Sequence, residues 1–158
     1  MLVILRKVMA PLLLVMFPIT LVASELNVMT FNIRYDNRGD GQNQWRFRAD
    51  NVAKMFATHD VAVAGLQEAL HHQLLELKKR LPQYEAVGVG REDGKQKGEY
   101  APIFYRKDRL TLERYDTIWL SKTPGKPGSK SWDSSLPRIA TLAWFKEKEG
   151  DQRWLIVN

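Results

Sequence analysis

Two short apolar runs, Met29-Thr30-Phe31-Asn32 and Gly65-Leu66-Gln67-Glu68, each end on a polar residue, and the stretch between them has room for one crossover helix. This spacing constrains the fold, because parallel strands need a connection of a dozen or more residues, usually a helix. A strand, helix and strand in that order would bring Asn32 and Glu68 to the same carboxyl end of one sheet. Open α/β sheets gather their ligands there.

Apolar side chains fall on both faces of residues 25–32, which predicts a central strand. A polar, glycine-containing loop follows over residues 35–44. Trp45, Ala49, Val52 and Phe56 then recur at helical spacing, leaving Arg46, Arg48, Asp50 and Lys54 for the wet side. The unbroken apolar run 61–66 suits a buried parallel strand. Leu70, Leu74, Leu77 and Leu81 predict a second helix, stopped by Pro82. Beyond this βαβα unit, residues 84–89, 101–106, 110–120, 138–146 and 153–157 read as strands without crossover helices, and residues 121–136 as a long loop.

The first residues stand apart from the fold. Arg6 and Lys7 precede an apolar run over residues 8–22 interrupted by Pro11 and Pro18, and Val22-Ala23-Ser24 offers small residues for cleavage. Residues 1–24 are therefore expected to be a signal peptide, and the protein to be secreted or periplasmic. A membrane anchor is the competing reading, but the run is short beside the roughly 20 residues a span requires. Cleavage leaves 134 of 158 residues, enough for one modest domain. The chain's net charge of +6 becomes +4 without Arg6 and Lys7, a mild excess that suits anionic substrates without demonstrating nucleic-acid binding. Cysteine is absent, so stability must come from core packing rather than disulfides.

Asn32 and Glu68 each have a structural and a chemical reading. Asparagine ends strands through local hydrogen bonds, and its amide also suits orientation of a phosphate oxygen or a carboxylate. Glu68 precedes a helix, where negative charge is favoured, and it is also a hard oxygen ligand for magnesium.

Thr30-Phe31-Asn32, Leu66-Gln67-Glu68, the segment from Gly98-Glu99-Tyr100 to Tyr105-Arg106, and Leu136-Pro137-Arg138 together resemble the endonuclease/exonuclease/phosphatase superfamily, whose fold is deoxyribonuclease-I-like. The resemblance runs in order through almost all of residues 25–158, and Gly125 to Asp133 further resembles a bacterial branch of that superfamily. It implies an α/β chain forming the amino-terminal portion of a four-layer α/β/β/α sandwich. It also implies metal-dependent hydrolysis of a phosphodiester or phosphomonoester. On matched positions, Asn32 resembles the asparagine of the phosphate site and Glu68 the principal metal ligand, for magnesium or manganese. Glu99 stands near an acidic position, Tyr105 lies in a core strand of family nucleases, and Arg138 matches an arginine before a strand. Sheet packing is the plain alternative for Glu99 and Tyr105, and a surface ion pair the alternative for Arg138.

The departure from the family bears equally on function. After Asn158 the relatives continue with a Thr-His pair and a second α/β half carrying an Asp-Asn pair and a terminal Asp-His pair. Residues 25–158 are thus expected to be a truncated domain with the electrostatic part of a site and little activity alone. His59, His71 and His72 fit none of the missing motifs, although His72 lies four residues beyond Glu68 and invites a pocket position. Gly88-Val89-Gly90-Arg91 begins like a dinucleotide fingerprint but lacks its third glycine, and no serine sits in a nucleophile elbow. Two functions remain: an exported phosphoesterase acting on a nucleic acid, nucleotide, phosphoinositide or phospholipid head group, and a noncatalytic binding domain derived from the same fold. Neither implies a stable protein partner.

Overall fold

Apolar periodicity and turn chemistry divide the chain into seven strands and two α-helices in a computed structural model that describes residues 25–158. The expected signal peptide lies outside the described residues. Strand β1 (Val28–Asn32) leads through a 3-10 segment (Arg38–Asn43) into α1 (Trp45–Thr58), and β2 (Val63–Gln67) leads into α2 (His71–Arg80). Strands β3 (Tyr84–Val87), β4 (Ile103–Arg106), β5 (Leu110–Trp119), β6 (Ile139–Glu147) and β7 (Arg153–Val157) follow.

Two sheets result. The first has the order β1-β2-β4-β3, with β1 and β2 parallel and the other pairs antiparallel; the second is the antiparallel meander β5-β6-β7. Trp45, Ala49, Val52 and Phe56, the stripe expected from sequence, are the buried residues of α1. With Leu74 and Leu77 of α2 they cover one face of the first sheet through Ala64, Leu66 and Phe104. Its other face supplies Val63, Ile103 and Tyr105 to a second core shared with Ala143 and Phe145 of the meander. The described residues therefore stack as three layers, helices on sheet on sheet, matching the amino-terminal portion of the four-layer sandwich.

One placement differs from expectation. Strand β1 begins at Val28 and is the edge of its sheet among the described residues, not a central strand. Met29 and Phe31 pack against the helix-side core, whereas Val28 is 57% exposed on the opposite face. Apolar residues on both sides of a strand report two covered faces only when another layer lies over each. Alternation alone carries no information about who pairs with the edge.

Gly65 locks the two sheets together. A Cβ at this position would lie 2.7 Å from Asn158 Oδ1 and would displace the Asn158 side chain from β2. Asn158 Nδ2 donates to the carbonyl oxygens of Leu66 at 2.7 Å and Pro102 at 3.0 Å, and its Oδ1 accepts from Gln67 Nε2 at 2.5 Å. The glycine of the Gly65-Leu66-Gln67-Glu68 run thus has a packing reason, and the clamp it admits holds Gln67, the residue before Glu68.

Candidate active site

The parallel register pairs Asn32 with Gln67, so the exits of β1 and β2 lie side by side. Both exits turn through the left-handed region: Glu68 has φ 60° and Arg34 φ 55°. Side chains with a Cβ adopt this conformation at a cost of roughly 1–2 kcal/mol. Such strain persists where the surroundings over-determine it, commonly at functional sites.

The turn aims Glu68 back at Asn32. Asn32 Nδ2 donates to Glu68 Oε1 at 2.9 Å, the Tyr35 N–H reaches Glu68 Oε2 at 3.4 Å, and Asn32 Oδ1 accepts from the Arg34 N–H at 2.8 Å. Behind them, the fully buried Gln73 donates to Arg34 O at 3.0 Å and accepts from the Leu70 N–H at 2.9 Å. Arg48 donates to Ile33 O at 2.6 Å. Arg34 itself turns outward onto Asp40 at 2.6 Å, and that hydrogen bond holds the Asp40 carboxyl below its ordinary range. Gln73 and Arg48 gave no sequence signal, because each acts on backbone carbonyls brought near only by the packing of α1 and α2 under the loop.

Asn32, Gln67, Glu68, Glu99 and Arg138 line one open cavity of about 390 Å³, together with Arg91 and Tyr100. Four of the five expected site residues therefore share one cavity. Tyr105 does not: it lies in the core between the sheets, its ring centroid 4.9 Å from that of Phe145. Its place on β4 points it away from the cavity, and packing accounts for it. Glu99 is not packed in a sheet but paired with Arg91 at 3.0 Å. No acid pairs with Arg138 among the described residues, which leaves its cation for the cavity. His72 meets Asp36 at 3.0 Å and His71 meets the Tyr100 hydroxyl at 2.9 Å, while His59 caps the carboxyl end of α1. A larger groove, about 620 Å³, runs along the open edge of β1 but has only His59 as a titratable side chain.

The donor set fits magnesium in one specific sense. No group of three or more His, Cys, Asp or Glu side chains is arranged to hold a metal among the described residues. Glu68 nevertheless offers a carboxylate whose oxygens have one neighbour each, leaving lone pairs open. Magnesium characteristically takes one or two carboxylates and fills its remaining positions with water and phosphate oxygens.

No family model matches the chain, and no curated protein matches it. Among solved structures, an endonuclease/exonuclease/phosphatase from Bacteroides vulgatus is 46% identical over 82% of this chain and 49% of its own, with a TM-score of 0.80. The chain belongs to the endonuclease/exonuclease/phosphatase superfamily. A mannosyl-6-phosphatase from Bacteroides thetaiotaomicron VPI-5482 is 41% identical over 85% of this chain and 51% of its own, with a TM-score of 0.82. The chain spans about half the length of these superfamily structures, covering their amino-terminal part. ANGEL2, a 2',3'-cyclic phosphatase 18% identical over 83% of this chain and 40% of its own, shares the fold at a TM-score of 0.64.

Proposed function

We propose that this chain provides the metal-phosphate part of a magnesium-dependent phosphoesterase site, with manganese an acceptable substitute. The observation that carries this reading is the 2.9 Å contact from Asn32 to Glu68 at a shared sheet end, with Arg138 in the same cavity. Glu68 is the metal ligand in this reading. A divalent cation there, when bound, supplies Lewis-acid stabilisation to the phosphoryl oxygens. Asn32 holds the Glu68 carboxylate in register through its amide. Arg138 attracts the phosphate and balances charge that develops on its oxygens. Gln67, clamped by Asn158, keeps the floor beneath them rigid.

The substrate in this reading is a phosphate ester. The mannosyl-6-phosphatase likeness supports a sugar phosphomonoester within that class. Hydrolysis of p-nitrophenyl phosphate and a panel of sugar phosphates by a protein that joins this chain to the second α/β half of the superfamily fold, with magnesium and with excess chelator, tests it. Turnover should disappear on chelation and return with magnesium; turnover indifferent to chelation would sink the metal assignment.

We further propose export, supported by the basic start, apolar run and small residues within positions 1–24. Among the described residues no helix is long and apolar enough to cross a membrane. Mass spectrometry of the expressed protein should find a new amino terminus after Ala23 or Ser24. An intact Met1 on exported protein would contradict that.

A further inference from the structure

Arg91 is only 8% exposed, which is expensive for a guanidinium unless its partner compensates. Its Nη1 and Nη2 donate to the two Glu99 carboxylate oxygens, each at 3.0 Å, while its buried Nε has no acceptor among the described residues. The backbone at Arg91 is also pinned: its N–H donates to Glu99 O at 3.1 Å, and its carbonyl accepts from Trp119 Nε1 at 2.6 Å. Gly90 makes this hairpin possible, since a Cβ there would lie 2.2 Å from Lys97 O. The backbone is thus fixed beside Glu99, and the two parallel hydrogen bonds hold the guanidinium on its carboxylate.

A buried ion pair with an orphaned donor is poor evidence of a stabilising contact, because well-packed apolar residues commonly serve as well. The position of the pair is more telling than its strength. Arg91 and Glu99 line the cavity that holds Glu68 and Arg138, so two acids face two cations. These charges cancel, so removing Glu99 leaves a net positive cavity and removing Arg91 a net negative one. An anion in that cavity would feel the change directly, because both side chains line it and the Arg91 guanidinium is largely buried.

We infer that Arg91 and Glu99 form a charge-setting pair that determines how strongly the cavity holds a phosphate anion. The inference rests on the phosphate-ester reading and adds Arg91 to it. Arg91 attracts the anion through the cavity wall, and Glu99 moderates that attraction so that bound phosphate can leave. Loss of the two partners should therefore act in opposite directions, which a merely structural strut would not produce.

Calorimetric titration of inorganic phosphate into the chain with magnesium present tests the pair. Glu99→Gln should tighten phosphate binding and Arg91→Gln should weaken it, each by about tenfold, while the double variant returns near the starting affinity. Weakening by both single variants, with no recovery in the double variant, overturns the inference. Circular dichroism melting identifies an Arg91→Gln protein that does not fold; the Glu99→Gln result then decides, tighter binding supporting the inference and unchanged or weaker binding overturning it. Absence of phosphate binding by the unsubstituted chain overturns both this inference and the phosphate reading. Phosphate binding with the wrong sign in Glu99→Gln overturns this inference alone.

Discussion

In a protein that also carries the second α/β half of the superfamily fold, Glu68→Ala is expected to lower magnesium-dependent phosphate-ester hydrolysis by about 10²–10³-fold, the range seen when a preorganised electrostatic contact to developing charge is removed. The variant deletes the carboxylate that Asn32 holds at the shared end of β1 and β2. Magnesium affinity, read by calorimetry, should fall with the rate. Folding should not suffer, because Glu68 is half-exposed and its carboxylate bonds only the Asn32 amide and, at 3.4 Å, the Tyr35 N–H. Asn32 acts through Glu68, so the two substitutions should be strongly non-additive, with Asn32→Ala adding little once Glu68 is gone. Undiminished magnesium-dependent turnover in Glu68→Ala would remove Glu68 from the site.

The largest stability effect is expected at Phe104. It is fully buried on β4, between Ala64 of β2 and Ala86 of β3 in the register. Its ring lies edge-on to Phe56 of α1 at 5.8 Å between centroids. Its two neighbours in the register are alanines, too small to fill the space the ring would leave. Phe104→Ala should therefore cost about 3–5 kcal/mol. Against a typical domain stability of about 5–15 kcal/mol this is a large share. Thermal melting should shift down by roughly 10–20 °C. A loss below about 1 kcal/mol would show that the helix layer and sheet are not joined through this ring.

Much of the scaffold was legible because periodicity is a local property. The four buried residues of α1 are the four that helical spacing picked out, and the continuous run 61–66 is buried throughout. The strand-rich second half was also readable, its boundaries shifting by a few residues at most strands. The 3-10 segment Arg38–Asn43 was not, because the turn that leads into it is held by Arg48 on Ile33 O and Gln73 on Arg34 O, 15 and 39 residues away in sequence. Trp132 shows the same limit. Nothing in the local sequence says that it stands 69% exposed with φ 54° while Ser121, Ser129 and Ser131 hydroxyls hold the loop.

The sequence by itself determined the βαβ spacing that sends Asn32 and Glu68 to one sheet end, since hydrophobic period and chain length leave few alternatives. Only the tertiary structure decided which polar residues face that end. It added Arg91 across a hairpin, kept Glu99 and Arg138, and withdrew Tyr105 into the core. It also revealed why Gly65 precedes Glu68, since the space a side chain would need is taken by Asn158. The physical reason is that burial patterns follow each residue's own neighbours along the chain, whereas a site is assembled from side chains whose meeting depends on how separate layers are stacked.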